Sequence, residues 1–217
     1  MRHLLILFLC IVLQSTLCCK KKDDPPPPKN WKDELPGSTW VGEFRYKSGA
    51  YTDSQPFSIS FLQSDFGWSE LSGDYPGTYT VEENNKILLK FATGSSISAE
   101  IENNEWRNFK EVTPLGWEID NLSLSTKLKP NQLINTIWQG QQGSYPMILQ
   151  FISSSQLKVS RNNGAFENKD YWIKGGGVYF RSTGSLERNF GIFVNNGKIF
   201  KGIYELKTSY LPWSLSK

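Results

Sequence analysis

One order of residues occurs twice in this chain. Leu35-x-x-Ser38-x-Trp40-x-Gly42 recurs 98 residues later as Leu133-x-x-Thr136-x-Trp138-x-Gly140. Phe57-x-Ile59-x-Phe61-Leu62-x-Ser64 recurs as Met147-x-Leu149-x-Phe151-Ile152-x-Ser154, and Tyr79-Thr80-Val81 as Tyr171-Trp172-Ile173. Thr93-Gly94 matches Thr183-Gly184, and Asn103-Asn104 matches Asn195-Asn196. The later offsets are smaller than the first, which places the length changes in loops. Self-similarity of this kind marks a duplicated structural unit. The chain of 217 residues therefore reads as two tandem domains, 31–126 and 127–217, with Lys127-Leu128-Lys129-Pro130 at the joint.

Each copy is written with period two. Trp40, Phe44 and Tyr46 alternate with Thr39, Glu43 and Arg45; Phe57, Ile59 and Phe61 alternate with Ser58 and Ser60; Ile87, Leu89 and Phe91, then Ile97, Ala99 and Ile101, repeat the pattern. Alternation of this kind places one face of a strand in a core. Asn84-Asn85, Asn103-Asn104, Asn195-Asn196-Gly197 and Gly175-Gly176-Gly177 supply hairpin turns, because Asn and Gly tolerate positive φ. The expectation is an all-β protein of two antiparallel meanders, each of six to eight short strands, closed into small barrels or, alternatively, folded as β-sandwiches. Trp40, Trp138 and Trp117 are expected in the cores, and Trp213 over a barrel end.

The opening strands, Gly37-Ser38-Thr39-Trp40-Val41-Gly42 and Asn135-Thr136-Ile137-Trp138-Gln139-Gly140, resemble those of the lipocalin-like (calycin) family. The resemblance implies a barrel whose first-strand tryptophan packs across a closed end. It also implies an open mouth that takes small apolar ligands in some members, and protease inhibition in others.

The N-terminus reads as an address. Leu4 to Leu13 is ten uninterrupted apolar residues after a basic start. A secretory signal carries an apolar segment of about 7–15 residues, whereas a membrane span needs roughly 20. Leu17-Cys18-Cys19-Lys20-Lys21-Lys22-Asp23-Asp24 resembles a bacterial lipoprotein cleavage site, and its Lys/Asp run resembles the export signal of Bacteroidota-type surface lipoproteins. The resemblance implies a signal peptide over 1–18 and a lipid on Cys19, with Cys18 as the alternative. It also implies outer-membrane anchoring at the cell surface, with the periplasmic face as the alternative. Without it, the segment reads as that of a secreted protein with a disulfide between neighbours. Residues 19–30, with Pro25 to Pro28, form an extended tether,.

All three cysteines and the single histidine lie in the first 19 residues. Once that segment is cleaved or lipidated, nucleophile–histidine pairs and His-ligated metals are unavailable, and no pattern implies a cofactor. Charge divides between the halves: residues 31–130 carry nine Lys/Arg against fifteen Asp/Glu, and 131–217 carry ten against four. No concentrated basic stripe points to nucleic acid.

The expected function is a non-enzymatic binding module for a glycan, a small amphipathic ligand or an envelope protein. The alternatives are a structural accessory lipoprotein, or a hydrolase inhibitor presenting the loop Arg161 to Lys169. Trp172 is the main candidate, because its counterpart in the first copy is Thr80 on an outward position. An outward tryptophan calls for something to cover it. Tyr171, Lys174 and Arg181 complete the expected ligand-binding set.

Overall fold

The computed structural model describes residues 29–47, 53–102, 104–112, 116–125, 128–207 and 209–217. The signal segment, Cys18, Cys19 and most of the tether lie outside the described residues, as do Thr126 and Lys127 at the joint. No helix among the described residues is long and apolar enough to cross a membrane.

The two copies form two closed eight-stranded antiparallel barrels in tandem. The first runs β1 (Thr39–Tyr46), β2 (Gln55–Phe61), β3 (Asp65–Glu70), β4 (Gly73–Val81), β5 (Lys86–Phe91), β6 (Ser96–Glu102), β7 (Glu105–Glu111) and β8 (Trp117–Leu124). The second runs β9 (Ile137–Gln142), β10 (Tyr145–Phe151), β11 (Gln156–Arg161), β12 (Glu167–Lys174), β13 (Gly177–Arg181), β14 (Arg188–Val194), β15 (Ile199–Leu206) and β16 (Ser209–Ser216). Neighbours in sequence are neighbours in each sheet, and the last strand pairs with the first. Closure removes the free edges that an open meander would expose. The asparagine turns take the expected backbone: Asn85, Asn104, Asn195 and Asn196 have φ of 59°, 65°, 52° and 54°.

The repeated motif builds the closed end of each barrel. Ser38 Oγ donates to the Leu35 carbonyl, and Trp40 Nε1 donates to Ser38 Oγ at 2.9 Å. Thr136 Oγ1 and Trp138 Nε1 repeat both bonds at 2.6 and 3.0 Å. The hydroxyl residue thus satisfies the one polar atom of a buried indole. Gly42 and Gly140 complete the motif for a steric reason. A β-carbon there would overlap the backbone carbonyl of Asn121 or Ser214 on the closing strand. A one-turn helix, Trp31–Glu34, lies under the first barrel and sets Trp31 against Trp40, ring centroids 5.6 Å apart. Trp213 does not lie over a barrel end. Gly191 and Gly202 face each other across β14 and β15 and leave room for its indole in the second core.

The barrels pack side by side. The outward face of β14 and β15 carries Phe190, Ile192 and Ile203, which meet Val41 of β1 and Leu71. Around this apolar patch Lys174 pairs with Asp74, Lys201 with Glu43, and Tyr179 Oη donates to the Glu70 carbonyl at 3.0 Å. The opposite charges of the two halves meet here. The Gly175–Gly177 hairpin rests on the hydroxyl face of Thr39, Ser58, Ser60 and Ser69, where a β-carbon on Gly176 would strike Thr39. The open ends lie on the same side. Ser54 and Pro56 of the first mouth share a groove with Gln141 and Gly143 of the second. At the other end Leu124 and Ser125 share one with Asn195 to Gly197.

Candidate functional site

Two places have the chemistry of a binding site: an outward aromatic row on the second barrel and the open mouth of the first. The row follows from strand register. Trp172 of β12 stands opposite Tyr179 of β13. Their rings are stacked with centroids 5.5 Å apart and planes 2° from parallel. The guanidinium of Arg181 lies 5.5 Å from the Trp172 ring centre. Trp172 is 41% exposed, so neither the first barrel nor a loop covers it. Tyr179 continues the row inward to Phe190 at the interface, 4.8 Å between centroids. Burial and the neighbouring Asp74 charge raise the Tyr179 phenol well above its ordinary pKa, so it stays a neutral donor.

The other expected members of this set separate from it. Tyr171 is 3% exposed and points into the second core, where its hydroxyl donates to the Ser153 carbonyl at 2.9 Å. Neighbours on a strand face opposite ways, so Tyr171 cannot share a surface with Trp172. Lys174 reaches across to Asp74 of the first barrel and belongs to the docking contact. The loop between Arg161 and Lys169 is anchored at both ends, because both side chains bond Glu187.

The mouth of the first barrel is a cavity of about 190 Å³ lined by Phe44, Tyr46, Trp68, Glu70, Tyr75 and Trp117, among others. Its floor is a set of rings meeting edge to face. Phe44 and Trp117 are 5.6 Å apart at 67°, and Phe91 and Trp117 are 6.1 Å apart at 87°. Tyr46, Tyr75 and Trp117 are half-buried at the rim. Beside it, a cleft of about 290 Å³ opens between β7 and β8, bounded by Trp117, Phe109, Ile97, Lys47 and Lys110. It exists because, among the described residues, β7 and β8 pair only through Glu105 and Ser123. Trp117 therefore stands between two openings.

Glu70 is the ionisable group of this cavity. It is 5% exposed, accepts from Ser72 Oγ at 2.6 Å, and forms no ion pair with a lysine or arginine among the described residues. Burial raises its carboxyl pKa, and hydrogen bonds from Ser72 and Tyr75 with the more distant Arg188 charge offset this only in part. A perturbed carboxyl in an apolar concavity is a recognised mark of a functional site. Neither Glu70 nor the exposed edge of Trp117 stood out in the sequence. The signal was present, since Phe66-x-Trp68-x-Glu70 puts the carboxylate on the inward parity.

The second mouth is filled differently. Lys169 is 3% exposed and donates to Glu187 at 2.7 Å and to Ser182 at 2.8 Å. Arg161 bonds the same Glu187 at 3.0 Å and lies 4.7 Å over the Tyr204 ring. Burial opposes ionisation of Glu187, but the bonds from Lys169 and Asn189 and the Arg161 charge outweigh it and hold the carboxyl below its ordinary pKa. This ionic plug occupies the space that is open in the first barrel.

Among the described residues no group of three or more His, Cys, Asp or Glu could hold a metal ion. No family model matches the sequence, and no curated protein is significantly similar to it.

Proposed function

We propose that the protein is a non-enzymatic binding module of the cell envelope, lipid-anchored through Cys19, that takes a small amphipathic ligand in the mouth of the first barrel. The observation that carries this reading is the aromatic-walled cavity with one buried carboxyl at its side. Ligand pockets combine apolar walls with a few convergent polar groups, and drug-sized ones run to roughly 300–1,000 Å³. At about 190 Å³ this cavity suits a smaller molecule. Residues 20–217 contain no histidine and no cysteine, which leaves the usual nucleophile–base pairs without their parts,.

Fluorescence titration tests the reading, because Trp117 and Trp68 line the cavity and report occupancy directly. A ligand of this mouth changes the emission of the wild type, and Trp117→Leu weakens its binding by at least about tenfold. An unchanged affinity in a folded Trp117→Leu protein would remove the mouth as the site. Anchoring has its own check: metabolic labelling with a fatty acid is lost in Cys19→Ser. Loss in Cys18→Ser with retention in Cys19→Ser would move the lipid to the neighbouring thiol.

A second reading is favoured by the outward pair Trp172 and Tyr179. Their stacked rings, with Arg181 and Asp170 close by on paired positions, offer the flat face and charged rim that a glycan uses,. Calorimetry against soluble glycans tests it, with loss of heat in Trp172→Ala at unchanged Tm as the expected result. Heat that survives Trp172→Ala places glycan binding elsewhere.

A further inference from the structure

The second barrel is an internal template for what the first one lacks. Strand pairing aligns the two mouths position by position. Glu70 faces Phe57 as Arg161 faces Met147, Gly77 faces Phe66 as Lys169 faces Leu157, and Ile97 faces Leu89 as Asn189 faces Phe180. Ser95, two residues before Ile97, stands where Glu187 precedes Asn189. In the second barrel every buried carboxylate of the mouth meets a cation belonging to the chain, and one of those cations lies over a tyrosine ring. In the first barrel a buried carboxyl stands at the position of Arg161 and a serine at that of Glu187, so neither cation of the second mouth has a counterpart. Glycine replaces the lysine, and the ring of Phe66 fills the space against that glycine.

A buried carboxylate without a cationic partner costs stability, and such a group persists where a ligand supplies the charge. The half of the chain around it carries an excess of acidic residues. Aromatic rings form most of the described lining of the cavity. Its hydrogen-bonding groups are the Glu70 carboxylate, already accepting from Ser72, with the hydroxyls of Tyr46, Tyr75, Thr93 and Ser95 at the rim. A primary ammonium brings three donors that must all be satisfied. A methylated ammonium brings fewer or none, and its methyl groups gain from contact with ring faces, which also attract the charge.

We propose that the open end of the first barrel binds a small methylated ammonium compound, its charge facing Glu70 and its methyl groups against Tyr46, Tyr75 and Trp117. The inference rests on the mouth being the ligand site and adds the chemical class. A neutral amphiphile would leave the Glu70 carboxylate without a counter-charge, and an anion would be repelled by it.

The test is calorimetric titration of the full chain in a polyoxyethylene detergent with choline, and with 3,3-dimethyl-1-butanol, its neutral isostere. Choline binds, and the neutral isostere binds at least about tenfold more weakly. Glu70→Gln, whose fold is checked by its thermal melt, loses at least about tenfold of choline affinity and leaves the affinity for the isostere unchanged. Leu186→Ser, on an exposed loop of the second barrel, leaves both unchanged. Equal binding of the two compounds, or choline affinity insensitive to Glu70→Gln, overturns the cation assignment and leaves the mouth as a site for uncharged ligands. No binding of either, together with silence of Trp117 fluorescence to any amphiphile of this size, overturns the mouth reading itself.

Discussion

Glu70 bears both on the stability of the first barrel and on the proposed ligand site. Its folded-state pKa is raised by burial, so ionisation is harder in the barrel than in the unfolded chain. A group shifted in that direction contributes fully below its ordinary value and loses that contribution as pH rises through the folded-state value. Glu70→Gln is therefore expected to raise Tm by a few degrees at neutral pH and to leave it unchanged in acid, measured by circular dichroism. A lower Tm at neutral pH would show that the charged form is held by a partner of its own. The same shift is expected to make the proposed cation binding weaken as pH falls towards the raised pKa, with Tyr46, Tyr75 and Arg188 the other groups facing Glu70. Parity along a strand made the outward position of Trp172 legible in the sequence, through its alignment with Thr80. The same parity puts Tyr171 on the inward face, against its place in the expected ligand-binding set. Glu70 was legible in principle, but an inward carboxylate announces nothing until the strands around it are seen to leave it unpaired.

At the scale of elements, the opening strands are the most constrained parts of each copy. The hydroxyl, indole and glycine of the repeated motif act as one device, and each has a stated cause in hydrogen bonding or close approach. Gly140→Ala places a methyl group against the Ser214 carbonyl where β9 meets β16. We expect a loss of about 1–3 kcal/mol, the usual scale of overpacking, read by urea denaturation. An unaffected midpoint would show that β16 yields. The meander and its turns followed from alternation and from asparagine and glycine, since both signals are local. Closure into barrels was not decided by that pattern, because a sandwich presents the same alternation; it depends on whether the last strand reaches the first. The weak β7–β8 seam, and with it the cleft beside Trp117, depends on the same long-range pairing.

At the scale of the molecule, two barrels share one apolar contact made from unlike faces. Phe190, Ile192 and Ile203 are at most 2% exposed, and burial of each contributes roughly 1.5–3 kcal/mol,. Ile192→Glu sets a carboxylate into that contact. Calorimetry is expected to show one unfolding transition in the wild type and two in this variant. A single transition in the variant would mean that the barrels unfold together without the patch. The contact had a trace in the sequence: Phe190-Gly191-Ile192-Phe193 is apolar on both parities, as in a strand covered on both faces,. What covers the outer face is set by the neighbouring barrel and has no local signal. The two faces involved are not equivalent. On the first barrel, the positions matching Phe190 and Ile192 are Ser98 and Glu100, so the contact joins two copies and does not propagate,.

The one-turn helix under Trp40 also fixes which way the molecule looks. The chain comes into the first barrel through its sealed floor, and the floor of the second barrel lies on the same side. The described chain thus enters on the floor side, and both rims open on the face away from Trp31. Under the proposed anchoring at Cys19, a solute reaches the rims from the side opposite the chain's entry.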